Sequence, residues 1–419
     1  MTDPADTVPG PPPDCPSHVD APLLSGLEHQ QTPSQLYRSL RGRHGAIAPV
    51  VLDGGIPAWL VLGYTEVTYV TSHDELFARD SRRWNQWSTI PEDWPMMPFL
   101  GYQPSVLFKE GAEHQRRAAV ITEALETVDQ FELAHLCREL AEGLIDTFAG
   151  SGEAELMAAY ATALPMRAVV QLCGMSPDSE GVEELVRDLR ISLDAAETDD
   201  PVAAYRRAQE RIERLVKNKR NSPGPDIASR MLTHPAGLTD EETVQDLIAL
   251  IAAAQQPTTN WICNTLRLLL TDDRFALNVS GGRIGVGQAL NEVLWLDTPM
   301  QNYIGRWAVR DTRLGGQHIR AGDCLVLGLA AANTDPQIWP EGHIGAENSA
   351  HLSFGNGEHR CPYPAPLLAD VIARTAVETL LERLPDVVLA VEPYELTWRP
   401  SILMRGLTSL PVTFTPVVQ

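Results

Sequence analysis

The sequence predicts one large domain that is mainly α-helical and carries small β-sheets. Apolar residues recur at helical spacing over long stretches, whereas runs with β character are short and few. No internal repeat is visible, and no low-complexity linker divides the chain into halves. With 419 residues, 44% of them hydrophobic, the chain can build a sizeable core.

The secondary structure is expected in a definite order along the chain. Helical spacing covers residues 33–43, 65–72, 113–148, 154–174, 177–194, 201–217, 226–233, 239–270, 286–296 and 367–384. Short β-like runs cover 47–52, 58–62, 304–309, the region of 319, 324–329 and parts of 385–417. Residues 81–108 are rich in tryptophan and proline and predict an irregular loop. Their aromatic residues either line a substrate pocket or pack into the core: Trp84, Trp87, Trp94 and Tyr102.

Composition narrows the classes of function. A net charge of -22 disfavours binding to nucleic acid or to an anionic membrane. The six cysteines are scattered and form no Cys-x-x-Cys pair, which argues against zinc sites and disulfides and favours a reducing compartment. Residues 1–30 form a proline-rich segment that we expect to be flexible, with no signal-peptide pattern. No apolar run reaches the length of a membrane span. We therefore expect a cytoplasmic protein with one domain over residues 31–419.

The most informative stretch is residues 351–361, with the sequence His-Leu-Ser-Phe-Gly-Asn-Gly-Glu-His-Arg-Cys. Gly355 and Gly357 allow a tight turn and a close approach to a flat ligand, because glycine has no Cβ. Cys361 ends the loop before a long helix, whose free N–H groups and positive end would favour a thiolate. Such a thiolate can be an axial ligand of haem iron. The alternative is a buried structural cysteine.

The pattern Phe-Gly-x-Gly-x-His-x-Cys over 354–361 resembles the haem-binding loop of the cytochrome P450 superfamily. The resemblance extends from about residue 30 to the end of the chain. It implies the cytochrome P450 fold, haem b (heme b, iron protoporphyrin IX) as cofactor and Cys361 as the iron ligand. Phe354 and Gly355 would lie against the haem. Without a membrane segment, the chain is similar to the soluble bacterial members.

A second landmark, residues 254–259, aligns with the family's oxygen-binding segment, Ala-Gly-x-acid-Thr-Thr. The resemblance assigns Thr258 as the catalytic residue, which passes protons to iron-bound dioxygen. Gln255 replaces the family glycine and Pro257 replaces the acid. Pro257 also removes a helical hydrogen bond and should kink the helix. The alternative is an ordinary proline-kinked core helix.

A third landmark is Glu292 with Trp295, which aligns with the family's Glu-x-x-Arg. In the family these two charged side chains share a helix face and join a second arginine in a buried ionic cluster. Here Trp295 occupies the arginine position, and residues 333–353 offer no arginine. Replacing a buried ion cluster by well-packed apolar groups can be near neutral for stability. The chain resembles an actinobacterial subgroup that lacks this arginine.

The resemblance also implies donors for the haem propionates. His114, Arg306 and His359 match the family positions. A guanidinium suits bidentate binding of a carboxylate, and the alternative for Arg306 is an ordinary surface charge. The family arginine that follows the helical histidine falls on Ala118. Arg117 lies about 100° round the helix and would need a different approach.

The function implied by the resemblance is a haem-thiolate monooxygenase of secondary metabolism. It would insert one oxygen atom from O2 into a small lipophilic metabolite. Electrons would come from NAD(P)H through ferredoxin and ferredoxin reductase, and Arg360 would help to receive the ferredoxin. Two alternatives stay open. The changes at 255 and 257 favour peroxide use, coupling, dehydration or isomerisation, or else the chain is a non-catalytic haem-binding regulator of a partner protein.

Overall fold

A computed structural model describes residues 18, 20–25, 32–176, 181–193, 200–272, 285–338 and 348–417. The helices in this part of the chain are α1 (Pro33–His44), α2 (Tyr64–Ser72), α3 (Met97–Leu100), α4 (Gly111–Glu126), α5 (Gln130–Asp146), α6 (Ala163–Leu172), α7 (Val182–Leu193), α8 (Pro201–Asn221), α9 (Ile227–Thr233), α10 (Asp240–Thr271), α11 (Val286–Leu296), α12 (Leu329–Asn333) and α13 (Ala365–Arg383). The strands are β1 (Ile47–Leu52), β2 (Ile56–Val61), β3 (Phe77–Ala78), β4 (Glu153–Glu155), β5 (Tyr303–Ala308), β6 (Thr312–Leu314), β7 (Gln317–Ile319), β8 (Cys324–Leu327), β9 (Val388–Leu389) and β10 (Pro411–Thr413). The predicted class, mainly α with small sheets, is confirmed. Most of the predicted flexible segment, 1–30, lies outside the described residues.

The strands form a main sheet in the order β1-β2-β8-β5-β3, a small sheet β4-β10-β9 and the hairpin β6-β7. Strand β5 carries a β-bulge, because its register against β8 shifts between Ile304 and Arg306. The extra residue is Gly305, whose φ of 121° is one that L side chains rarely adopt. A bulge re-aims the side chain that follows it, which here is Arg306.

The long helix α10 is the centre of the helical core. It begins with a capping box between Thr239 and Glu242. Its apolar side chains are buried on several faces, as Ile251, Ile262 and Leu266 illustrate, and it packs against α8, α11 and α13. The helix continues through Pro257, so the proline lies inside the element and does not end it.

Two long stretches of helical spacing are divided in the structure. Within 113–148 the chain breaks after Glu126 and restarts at Gln130, because the Asp129 side chain accepts N–H groups of the new first turn. Within 154–174 the first residues pair as β4 with β10. A π-helix (Met157–Thr162) then precedes α6. Strand pairing and capping therefore override a helical pattern that continues in the sequence.

Candidate active site

The glycine loop of residues 351–361 packs closely against α2. Gly355 and Gly357 have φ values of 76° and 77°, the left-handed region that favours glycine. A Cβ on Gly357 would lie 1.8 Å from the carbonyl oxygen of Thr71. A side chain at 357 would therefore push the loop away from α2.

Cys361 closes the loop, because its backbone N–H donates to the carbonyl oxygen of Phe354 at 2.9 Å. Helix α13 begins only at Ala365, four residues later. Burial raises the pKa of the Cys361 thiol to about 11. Burial therefore opposes the thiolate that the sequence predicts at Cys361, and a bound metal cation would favour it.

Four basic side chains converge beside the loop: Arg79, His114, Arg306 and His359. The rings of His114 and His359 lie 3.9 Å apart, centroid to centroid. Burial lowers the pKa of His359, and the positive charges of Arg79 and Arg306 lower it further. The structure thus brings together the three propionate donors predicted from the sequence.

Two carboxylates face this basic cluster. Arg306 pairs with Asp74, and His114 Nδ1 lies 3.2 Å from an oxygen of Glu358. Burial and the charge of Arg79 lower the pKa of Arg306 to about 10. Its buried Nε has no hydrogen-bond partner among the residues described. An anionic ligand would use that donor and relieve the repulsion between the two guanidinium groups.

Arg79 is a member of the cluster that the sequence reasoning missed. It follows β3, and no motif surrounds it in the sequence. Its guanidinium donates to the carbonyl oxygen of Gly305 and, at 2.8 Å, to the Tyr303 hydroxyl. These bonds follow from the pairing of β3 with β5, a long-range contact that local patterns do not show.

Arg117 does not belong to the cluster. Its guanidinium makes a bidentate ion pair with Asp246 of α10, at 2.6 and 2.8 Å, and both side chains are fully buried. A third N–H donates to the Pro104 carbonyl oxygen at 2.7 Å. The idea that Arg117 approaches a propionate from another direction is therefore wrong, since its donors already serve the packing of α4 on α10.

Thr258 lies inside α10 and is nearly buried, with 4% exposure. Its hydroxyl donates to the carbonyl oxygen of Ala254 at 2.6 Å, so the hydroxyl oxygen keeps its acceptor capacity. Gln255 is equally buried and donates to the Thr259 hydroxyl at 3.2 Å. At position 257, proline supplies no ionisable group.

The predicted landmark at 292–295 lies on α11. Trp295 is buried and its indole N–H donates to the carbonyl oxygen of Asn348 at 2.8 Å. Glu292 is half-buried. Trp295 therefore fills the place of the family arginine with a neutral side chain whose one donor is paired.

The tryptophans of the irregular loop pack into the core. Trp84 and Trp94 are 3% and 2% exposed, and Trp84 also lies within 6.2 Å of the ring of Trp307 in β5. Trp94 donates to the carbonyl oxygen of Asp53 at 2.9 Å. Of the two interpretations that the sequence left open, core packing therefore describes Trp84 and Trp94.

Comparison with known proteins decides the family. The chain matches no family model. It is 30% identical to the cytochrome P450 monooxygenase PikC of Streptomyces venezuelae, over 92% of each chain. It is also 30% identical to the vitamin D(3) 25-hydroxylase of Pseudonocardia autotrophica, over 94% of this chain and 96% of the relative. The chain belongs to the cytochrome P450 family. This P450 is an enzyme of the monooxygenase class, as its named relatives are.

Solved structures give the same fold. The P450 resembles CYP154C4 from Streptomyces sp. W2061 with a TM-score of 0.85 and 26% identity, over 94% of this chain and 97% of that one. It also resembles P450BioI in a complex with a fatty-acid-ligated acyl carrier protein, with a TM-score of 0.80 and 26% identity, over 93% and 100% of the two chains. The expected fold and the resemblance to cytochromes P450 are confirmed. None of the helices described here could cross a membrane.

The family implies a haem, and the residues present fit it. A haem offers two propionates, and the basic cluster offers a buried Arg306 Nε that lacks a partner within the described chain. The glycine loop beside this cluster ends at Cys361, whose sulfur is a type of ligand that haem iron accepts. The unpaired cationic donor and the nearby sulfur suit an iron porphyrin with carboxylate side chains.

Proposed function

We propose that this monooxygenase binds haem b through Cys361 and oxidises a small lipophilic metabolite, with electrons from NAD(P)H passed on by a ferredoxin reductase and a ferredoxin. The observation that supports the site is that one short loop carries both a candidate sulfur ligand for the iron and a candidate donor for a propionate. Cys361 ends the loop, and His359, two residues earlier, lies in the basic cluster with His114.

Each residue has a separable role in this proposal. Cys361 would supply the sulfur ligand, while Phe354 and Gly355 would line the porphyrin on the same side. His114, Arg306 and His359 would hold the propionates, and Arg79 would add positive charge. The three propionate donors lie on α4, β5 and the loop, and Arg79 follows β3, so anion binding would join four parts of the fold.

The haem, when bound, supplies the activation of dioxygen and the transfer of one oxygen atom to the substrate. Thr258 would accept a hydrogen bond from a water molecule and so hold that water, the proton donor, at the site, while its own hydroxyl proton stays on the carbonyl oxygen of Ala254. The neighbouring Pro257 has no ionisable group that could deliver a proton. Proton supply would therefore depend on water that reaches Thr258 by a route other than a carboxylate at 257.

The proposed substrate class rests on the relatives. Their names include a vitamin D(3) 25-hydroxylase, a 2-hydroxy-5-methyl-1-naphthoate 7-hydroxylase and a mycinamicin IV hydroxylase/epoxidase. All three names describe the oxidation of a small organic compound. We infer a lipophilic secondary metabolite for this chain.

The proposed electron route would end at the exposed side of the loop. Arg360 is exposed next to Cys361, so its charge is available to an acidic ferredoxin. Arg360→Glu should slow ferredoxin-supported reduction several-fold at low ionic strength and leave peroxide-supported turnover unchanged. Arg313→Glu, an exposed change on the β6-β7 hairpin, is the matched control. Equal effects of the two variants would argue against a docking role for Arg360.

An absorption spectrum tests the core of the proposal. The purified, reduced protein exposed to carbon monoxide should show the strongly red-shifted Soret band of a thiolate ligand. Cys361→Ser should abolish that shift, whereas Cys137→Ala, a change at a buried cysteine of α5, should keep it. A wild-type protein without haem, or with an unshifted band, would contradict the assignment.

A second candidate function is favoured by positions 255 and 257. Gln255 fills the place of the family glycine with a buried, hydrogen-bonded side chain, and Pro257 removes the acid. An enzyme of this kind would use hydrogen peroxide, which already carries the protons and electrons that O2 requires. Product formation with peroxide that exceeds turnover with ferredoxin, reductase and NAD(P)H would select this alternative.

A further inference from the structure

The last turns of α11 bind the chain that leads into the cysteine loop. The indole N–H of Trp295 donates to the carbonyl oxygen of Asn348 at 2.8 Å. The Asn291 amide donates to the same oxygen at 3.0 Å. Residues 291 and 295 share a helix face, so two donors one turn apart hold one carbonyl group.

Aromatic contacts continue from Trp295 to the cysteine. The ring of His351 lies 5.8 Å from that of Trp295 at 90°, an edge-to-face arrangement. His351 in turn lies 6.0 Å from the ring of Phe354. The carbonyl oxygen of Phe354 accepts the N–H of Cys361. Trp295 is therefore connected to Cys361 by direct contacts and one backbone hydrogen bond.

Asn333 provides a second anchor beside the first. It is fully buried and accepts the N–H of Leu352 at 2.7 Å while its amide donates to the carbonyl oxygen of Leu294 at 3.0 Å. The Ser353 hydroxyl donates to the same Leu294 oxygen at 2.7 Å. The end of α11 thus holds the chain directly at residues 348 and 353, and through Asn333 of α12 at residue 352.

We propose that Trp295 is a positioning residue for Cys361: its indole N–H and ring hold the cysteine loop in the conformation that ligates iron. This inference rests on the proposed role of Cys361 as the haem ligand. Trp295 holds the loop with a neutral side chain. Burying an indole costs less desolvation free energy than burying a guanidinium, and its hydrogen bond to Asn348 is insensitive to salt.

The hydrogen bond distinguishes this role from simple core filling. A leucine at 295 would occupy apolar space but could neither donate to Asn348 nor present a ring to His351. A phenylalanine would keep the ring and lose the donor. Leu296, the next residue, is 43% exposed and gives a matched control on the same turn.

The test compares Trp295→Phe, Trp295→Leu and Leu296→Ala in the haem-loaded protein. One readout is the fraction of the reduced carbon monoxide complex with the thiolate-type Soret band. The other is hydrogen exchange at the amides of Leu352 and Cys361. We expect Trp295→Phe to lower amide protection by about fivefold, the effect of one net hydrogen bond, and to convert part of the band to the unshifted form.

We expect the larger effect from Trp295→Leu and no effect from Leu296→Ala. Amides of β1 and β2 should exchange equally in all variants, which separates loop opening from general unfolding. If Trp295→Leu does not fold, Trp295→Phe still decides between the two roles. If the wild type and both Trp295 variants show the thiolate-type Soret band, and amide protection is unchanged, the positioning role alone is overturned. A wild-type protein without that band would overturn the haem assignment as well.

Discussion

The imidazole rings of His114 and His359 lie 3.9 Å apart, centroid to centroid, although the two residues are far apart in the sequence. His114 also contacts Glu358, the residue before His359, which lies 244 positions further along the chain. Burial is the main cause that lowers the pKa of both rings. Both histidines are therefore neutral near pH 7, and each can donate one N–H without adding to the charge of Arg306. Neutral histidines beside buried arginines can bind carboxylates, and they add no further charge repulsion to the cluster while no carboxylate is bound.

Removing the buried guanidinium of this cluster should weaken haem binding. Arg306→Gln keeps most of the side-chain volume and loses the charge. A hydrogen bond to a charged group contributes about 1.5–3 kcal/mol, so haem affinity should fall roughly 10- to 100-fold. Transfer of haem to apomyoglobin measures the change. Arg310→Gln, an exposed change four residues along, should leave haem retention as in the wild type. Equal retention in both variants would remove Arg306 from the propionate site.

The buried pair Arg117–Asp246 should matter for stability and not for haem. Arg117→Ala leaves a fully buried carboxylate without its cation, which costs about 3–5 kcal/mol of unfolding free energy. The pKa of Asp246 is already raised by burial, so its protonation should reduce this cost as the pH falls. Urea unfolding measures the difference. Arg116→Ala, which breaks partly exposed pairs, should cost less than about 1 kcal/mol. Selective loss of haem from the Arg117 variant would contradict the assignment.

Much of the fold and part of the site follow from local sequence. Strand β1 and helix α11 begin and end where their patterns predict, and the glycine loop was visible because its backbone requires glycine at 357. Arg79 was not predictable, since its place depends on the pairing of β3 with β5. Arg117 was misjudged for the same reason: helical geometry gives the direction of its side chain but not the carboxylate of Asp246 on a distant helix.

Acid should weaken the contact between His351 and its aromatic neighbours. Burial lowers the pKa of His351 from 6.5 to about 4. Between these values the unfolded chain binds a proton at this residue and the folded protein does not, so stability is complete above pH 6.5 and falls as the pH is lowered. The loss is at most about 3 kcal/mol. Urea unfolding from pH 7.5 to 4.5 should show a shallower decline for His351→Phe than for the wild type. Parallel curves would show that His351 titrates normally.

Thr258 gives the sharpest test of proton supply. Thr258→Ala should lower the ratio of product formed to NADH consumed by about tenfold or more. The reason is that positioned proton transfer contributes about 10²–10⁴ in rate. Thr265→Ala is a matched control, since Thr265 is buried in α10 and makes the same bond, to the carbonyl oxygen of Trp261 at 2.7 Å. Pro257→Asp should raise the coupling of NADH to product, because it returns a carboxyl group beside Thr258. If Thr258→Ala and Thr265→Ala form equal amounts of product per NADH consumed, protons reach the oxygen site without the Thr258 hydroxyl. In that case peroxide turnover should also be the same in both variants.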